Sequence, residues 1–544
     1  MQYWGILPQQ IKYIKEIKVS QQIYILDTTL RDGQQSPGAG MTFADNILYA
    51  QLAHKLRIDI LEAGFPSASK TDFNIVNQIA KDMASVKSNM KVSGLCQLRE
   101  DQVHKTMESL LPSLVGQRAR IHIYVPVDPE LMPASLGKLA ENKPLIIETV
   151  GKLVKIATDS GYEVEFSPEG YSRQRDNFAF TTDVITAAVE SGASVINCPD
   201  TIGGASHFQG EEYFVNKMKQ HKEIIANKFP RKNIMWSAHC HNDFGTALEN
   251  TLNAVFSGVA TQIEGCINGV GERAGNVALE QCIMNIRQFG GLAHLPLKVH
   301  TNIDIAYLKE ASNFIAERML PRQPHSPITG KNSAAHTSGG HINAIIKNPL
   351  AYQPFDPKDI GSEISFVFGP LSGSNHAQQI IHKHDYICLD TEKVAITQAI
   401  KDFYADRRKG ITDDELIKAY QVYRSPIRVD NLTYAKDANA TTMLTITGRF
   451  FDQEQIVIEY HGRGSALSAL NEAVGKYFSG ITVEDYSSRA QSHSIDALCE
   501  STIIVAVNKE QRYSAMATDE DIELSAIKAF ISAVNSAYVE TNFR

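Results

Sequence analysis

The sequence is short of everything that would place it on a membrane or a nucleic acid. Its longest apolar runs are of strand length, well below the ~20 residues a spanning helix needs. It has no block of five like charges, and 53 Lys and Arg against 61 Asp and Glu leave a net charge of −8. A polybasic nucleic-acid or anionic-membrane surface is excluded as the main theme. The opening MQYWGILPQQIKYIKEIK has no signal-peptide apolar core. Seven cysteines make an odd count with no CxxC pair. Cys96, Cys198, Cys240 and Cys266 sit in apolar segments, as small buried residues of a reducing compartment do. With 43% hydrophobic and 21% charged residues, the composition is ordinary for a globular chain. Its 544 residues correspond to roughly three or four domains and need no disulfide or metal staple to fold. The expectation is a soluble, cytoplasmic, multidomain protein with no nucleic-acid or membrane partner.

What is present is a repeat. Eight short β-branched runs punctuate the first 290 residues: 22–29, 59–65, 90–97, 120–127, 162–169, 194–200, 234–243 and 262–269. Segments of helical spacing separate them, such as Ile47, Ala50, Leu52, Ala53 and Leu56. Eight strand–helix units over ~250 residues match a (β/α)8 barrel. A doubly wound sheet has fewer strands and a glycine fingerprint after the first, which is missing here. The fold expected is α/β: this barrel over 1–290, a helical linker subdomain over 291–430, and an α+β regulatory domain over 431–544. In the last, two strand-rich blocks each run into a helix.

A barrel carries its chemistry where the strands end. Those ends hold Asp27, Arg31, Glu62, Gln97, His122, Glu169, Asp200, His239, His241 and Asn268. His239 and His241 alternate onto one face of a strand, where two imidazoles can share a metal. Strands seven, eight and one are neighbours in a closed barrel, so Asp27 and Asn276 can join the histidines. Such a mixed N/O set suits Zn, Mn, Co or Mg. Arg31 is a fixed positive group able to stabilise an enolate or alkoxide, with a surface pair to Asp32 as its bland alternative. Ser167-Pro168-Glu169 brings a further carboxylate. The run Gly269-Val270-Gly271-Glu272-Arg273-Ala274-Gly275 reads as a flexible loop beside the metal.

DTTLRDGQQSPGAGMT, LEAGFPSAS, FSPE, PDT, HCHNDFGTALENTLNAVFSG, EGCINGVGERAGN and AAHTSGGH together resemble the 2-isopropylmalate synthases, TIM-barrel members of the DRE-type Claisen-condensing superfamily. The resemblance covers about residues 23–370. It resumes in ITVEDYSSRAQSHSIDAL and ATDEDIELSAIKAFISAVN, which look like the family's leucine-sensing module. It implies condensation of acetyl-CoA with a 2-oxo acid, 2-oxoisovalerate, as the committed step of leucine synthesis. It implies metal ligation by Asp27, His239, His241 and Asn276, with Mn, Mg, Zn or Co as the divalent ion and an activating monovalent cation such as K. Arg31, Glu169 and His341 match catalytic positions, His341 from a neighbouring subunit, which makes the protein a homodimer. His122, Ser167, Thr201 and Gln35 match substrate-binding positions. Gly462, Gly464 and Ala517 fall by the leucine site, where they depart from the family's glycine and proline pattern. The runner-up activities are the same chemistry on pyruvate or 2-oxoglutarate, and then a carbon–carbon lyase.

Overall fold

The computed structural model describes residues 20–407, 409–437, 441–461, 465–491 and 498–544. Eight parallel strands close into a barrel: β1 (Tyr24–Asp27), β2 (Ile60–Glu62), β3 (Lys91–Gln97), β4 (Ala119–Pro126), β5 (Glu163–Glu169), β6 (Val195–Asp200), β7 (Met235–Cys240) and β8 (Gln262–Gly265). Pairing of Asp27 with Gly265 in register seals the circle. The strands are buried on both faces, which is why they read as apolar runs rather than as alternating ones. Around them lie α1 (Phe43–Lys55), α2 (Lys70–Ser85), α3 (Glu100–Leu114), α4 (Lys143–Asp159), α5 (Phe178–Glu190), α6 (Phe214–Lys228), α7 (Ala247–Phe256) and α8 (Leu279–Phe289). A Thr42–Asp45 capping box starts α1, and the Ser69 hydroxyl accepts from Asp72 N–H at the start of α2. Each satisfies backbone donors that a helix start leaves unpaired.

The lumen is less apolar than a barrel interior usually is. Arg120, 1% exposed, donates to Glu163, Glu165 and Gln262. This buried charge is compensated from three sides, as burial demands.

The first compact unit runs past residue 290, comprising the chain to 334 together with 355–363. Helix α9 (Leu308–Arg318) explains the extension. Its apolar face of Leu308, Ala311 and Ile315 belongs to the barrel's own hydrophobic core. The change of composition at 291 marks a connecting loop, and the apolar stripe beyond it still needs the barrel for its burial.

The second unit holds 335–354 and 364–544. Its helices are α10 (Gly339–Lys347), α11 (Ser374–Lys383), α12 (Lys393–Phe403) and α13 (Asp413–Arg424). Ile381, Ile396, Leu416 and Tyr420 form the core of the last three. Two antiparallel sheets follow: β9 (Ile427–Lys436), β10 (Thr441–Phe450) and β11 (Gln453–His461), then β12 (Ile481–Ala490), β13 (Cys499–Val507) and β14 (Gln511–Asp519). Helix α14 (Ala466–Gly475) follows the first sheet and α15 (Ile522–Phe543) the second. Leu444, Ile446, Leu470, Ile503, Val505, Phe530 and Val534 share one core. Two copies of a βββα pattern therefore build the C-terminal module, as the sequence repeat indicates. No helix among the described residues is long and apolar enough to cross a membrane.

Candidate active site

The C-terminal rim of the barrel gathers three cation-seeking side chains. His239 is the penultimate residue of β7 and His241 lies one residue beyond the strand, where a bridge to Asn276 holds the backbone. Their Nε2 atoms lie 3.2 Å apart. Asp32 Oδ2 stands 3.7 Å from one and 3.9 Å from the other. The three donor atoms form a compact, buried triangle. Burial pushes the Asp32 carboxyl up, but Arg31, His239 and His241 more than reverse this and hold it at about 2. It is an anion at any ordinary pH.

Asn276 completes the group. Its Nδ2 donates to Asp32 Oδ1 at 2.9 Å and to Val270 O at 3.1 Å, while its Oδ1 is buried with no hydrogen-bond partner among the described residues. An orphaned buried oxygen is costly, and this one belongs to a side chain that bonds to Asp32 of the triangle, so it is available as a further donor there. Two nitrogens, a carboxylate and an amide oxygen fit a divalent cation of the Mn, Zn, Co or Mg kind. Gly271 lets the amide come this close, since a Cβ there would sit 2.3 Å from Asn276 Nδ2.

Asp27 does not join them. It is fully buried, and its Oδ1 accepts from the backbone N–H and hydroxyl of Thr29, while its Oδ2 accepts from the Tyr49 hydroxyl at 2.6 Å. Tyr49 lies on α1, so the last side chain of β1 points outward to the helix layer. The carboxylate that turns into the rim comes five residues later, from the loop. Asp27 is the carboxylate expected beside His239, His241 and Asn276; the carboxylate that meets them on the rim is Asp32 instead. The signal for Asp32 was its place beside Arg31, which reads equally well as a surface ion pair. Its 3% exposure rules that reading out.

Arg31 reaches three carboxylates at once. Its Nε lies 2.5 Å from Glu62, Nη1 2.7 Å from Asp32 and Nη2 2.9 Å from Glu264. The fork geometry of guanidinium makes this possible where an ammonium could not manage it. Below it, the His122 ring bridges Glu62 Oε1 at 2.7 Å and Ser167 Oγ at 2.6 Å. Glu169 is half-buried and bonds to no side chain among those described. Burial raises its carboxyl, with Arg31 pulling the other way. Thr201 Oγ1 accepts from Gly170 N–H, and Gln35 is exposed on a short turn after Arg31. Asp200 and Asn268 are engaged elsewhere: Asp200 accepts from Ser172 of the preceding strand's loop and from Gly204 and Ala205 of its own, and Asn268 donates to Ser312 O on α9.

The glycine-rich loop after β8 is tied down rather than loose. Arg273 forks onto Asp243 at 2.8 and 3.0 Å and donates to Thr201 O at 2.7 Å. Gly275 adopts φ 85° with Gly269 O where a Cβ would stand. Its glycines allow the loop to fold back on itself, which is what delivers Asn276.

His341 belongs to the second unit, in the first turn of α10. It stacks on Tyr352 at 3.9 Å between ring centroids, with His336 edge-on at 5.9 Å. Ala517 lies half-buried on β14, opposite Ser501. Gly462 and Gly464 lie outside the described residues.

The His122–Glu62 pair predicts a pH effect on stability. Burial alone would lower the imidazole, but Glu62, then Glu165, raise it to about 9. A raised folded-state value stabilises fully below the ordinary histidine value of ~6.5 and fades as pH climbs through about 9. The stability gap between wild type and His122→Gln should therefore shrink by roughly 2–3 kcal/mol from pH 6.5 to 9.5. Urea midpoints of the two proteins over that range measure it, and a gap independent of pH contradicts the assignment.

Comparison with known proteins places this rim in a class. A family model described as HMGL-like matches residues 22–315, the whole barrel together with most of α9. Another, the homocitrate synthase post-HMGL domain-like family, matches 328–409, and the LeuA allosteric (dimerisation) domain matches 411–538. The chain belongs to the 2-isopropylmalate synthase family. It is 32% identical over 539 residues to the 2-isopropylmalate synthase of Chromobacterium violaceum, covering 95% of this chain and 98% of that one. It is 34% identical to that of Hydrogenovibrio crunogenus, covering 95% and 97%. Against that of Aquifex aeolicus the identity is 31%, over 96% and 98%.

Proposed function

We propose that this chain condenses acetyl-CoA with 2-oxoisovalerate, forming 2-isopropylmalate and free CoA as the entry step to leucine. The observation that carries the reading is the meeting, on one barrel rim, of the Asp32–His239–His241 triangle and the Arg31 guanidinium. Asp32, His239, His241 and Asn276 would hold a divalent cation, whose contribution is Lewis acidity toward the ketone of the oxo acid. Arg31, held by three carboxylates, offers a fixed positive charge beside the oxygen that becomes anionic. His122, Ser167 and Thr201 orient the oxo acid, with Gln35 at the outer edge. Glu169 and His341 move the methyl proton of acetyl-CoA, His341 coming from the second subunit of a homodimer. The methyl C–H bond breaks, the new C–C bond forms at the ketone carbon, and the ketone oxygen takes a proton. Water then cleaves the thioester, and CoA leaves as the thiol. The C-terminal module would bind leucine as effector near Ala517, and potassium would support turnover.

Release of CoA thiol from acetyl-CoA, measured with a panel of 2-oxo acids and added Mn or Mg, tests the proposal. The expected result is a preference for 2-oxoisovalerate, abolished by a chelator and lowered by leucine. Preference for pyruvate or 2-oxoglutarate would move the substrate while keeping the chemistry. No thiol release with any oxo acid would overturn the synthase reading.

A further inference from the structure

Six groups in the upper lumen, all buried but the partly exposed Arg31, close a ring of hydrogen bonds. Arg31 Nε meets Glu62 Oε2, Glu62 Oε1 meets His122 Nδ1, and His122 Nε2 meets Ser167 Oγ. Asn197 Nδ2 then bonds to both Ser167 Oγ at 3.0 Å and Glu264 Oε2 at 2.7 Å. Glu264 Oε1 returns to Arg31 Nη2 at 2.9 Å. The same Glu264 Oε1 lies 3.1 Å from His239 Nδ1, off the axis of a full hydrogen bond. Glu264, on β8 and wholly buried, is thus the one ring member that also touches a histidine of the triangle. His241 has no such support among the described residues, where its Nδ1 is buried without a hydrogen-bond partner.

We infer that Glu264 is a positioning residue that holds His239 and Arg31 in a fixed relation on the rim. The inference rests on the reading of His239 as a metal ligand. An imidazole that offers Nε2 to a cation must carry its proton on Nδ1, and a carboxylate facing Nδ1 selects that tautomer and ring orientation. The second consequence concerns Arg31. Because one carboxylate oxygen serves both groups, the guanidinium and the imidazole cannot shift independently, so the positive charge stays in register with the carbonyl held by the triangle. Glutamine is isosteric, but it replaces one accepting oxygen with an amide. The two sides of this carboxylate face only donors, Arg31 and the His239 Nδ1 proton on one and Asn197 on the other, so the amide meets a donor either way. Arg31 stays tethered through Glu62 within the ring and Asp32 outside it, so the fold retains most of its support.

The test compares Glu264→Gln, Glu264→Asp, Glu165→Gln and His239→Ala in the full chain. Mn²⁺ alone is titrated, with the free ion counted by its electron paramagnetic resonance, and kcat and KM for the oxo acid are measured in parallel. Glu165 is an equally buried carboxylate that bonds to Arg120 and Gln262 and, among the described residues, to neither histidine of the triangle, although it lies beside His122 on the next strand. The expected result is Mn²⁺ affinity lowered ~10–100-fold in Glu264→Gln, a larger loss in His239→Ala, and wild-type affinity in Glu165→Gln. Glu264→Asp should recover part of the affinity, and kcat should fall more than KM rises. Unchanged affinity in Glu264→Gln with loss in His239→Ala overturns this inference alone. Equal loss in Glu264→Gln and Glu165→Gln also overturns it, because the effect would then be a general loosening of the barrel. Full affinity in His239→Ala overturns the metal reading as well.

Discussion

Asp32→Asn is expected to abolish metal binding and to reduce CoA release by roughly 10³-fold or more, the rate equivalent of several kcal/mol of Lewis-acid stabilisation. The amide keeps the size of the side chain but loses its charge, and its NH₂ group has nowhere to go. One oxygen position accepts from Asn276, and the other faces Arg31 Nη1 at 2.7 Å and both histidine Nε2 atoms. Either orientation sets donor against donor, while two imidazoles are left without the anion that draws a cation to them. Asp27→Asn should behave differently. There a carboxylate that accepts from Thr29 and Tyr49 becomes a group that can accept from only one side, at a cost of about 1–3 kcal/mol in stability. Metal stoichiometry in that variant should stay at the wild-type value. Elemental analysis of the two purified proteins separates the cases. Metal retained in Asp32→Asn and lost in Asp27→Asn would overturn the corrected ligand set.

Arg31→Lys carries the second large effect. A lysine preserves one positive charge but cannot reach Glu62, Asp32 and Glu264 together, because Nε, Nη1 and Nη2 each make a separate contact. The charge then either stays with one carboxylate or sits away from the developing oxyanion. Loss of a preorganised donor of this kind costs ~10²–10³ in kcat. The oxo-acid KM should change little, since the interaction strengthens only as the oxygen becomes anionic. Steady-state kinetics at saturating metal decide it. A kcat close to wild type would place Arg31 in a structural role only.

Both effects concern residues that differ in how far the sequence alone could identify them. His239 and His241 were legible because strand alternation puts residues two apart on one face, and the strand-end position in a barrel does the rest. Arg31 and Glu169 were legible as charged groups at strand ends. The role of Glu264 was not, although it lies in the eighth run. A glutamate inside an apolar strand gives no sign of which lumen groups it meets, and its partners Arg31, Asn197 and His239 come from three distant segments. The glycine-rich loop misled for a related reason. Glycine permits both slackness and close approach, and only the Arg273–Asp243 fork and the Gly269–Gly275 contact show which one applies.

The sequence by itself determined the architecture: eight β-branched runs with helices between them close a barrel, and two βββα repeats follow. These patterns are local, repeated and set by burial, so periodicity carries them. It also determined the family, because long motifs in order are a property of the chain rather than of its packing. The tertiary structure alone decided which carboxylate faces the histidines. Asp27 and Asp32 are five residues apart and chemically identical, and the difference is one of direction. The strand's last side chain turns outward to Tyr49, while the loop beyond it carries Asp32 back over the rim. The structure also decided where the barrel unit ends, since α9 lies beyond the last strand–helix repeat and is bound to it only by the apolar face it must bury.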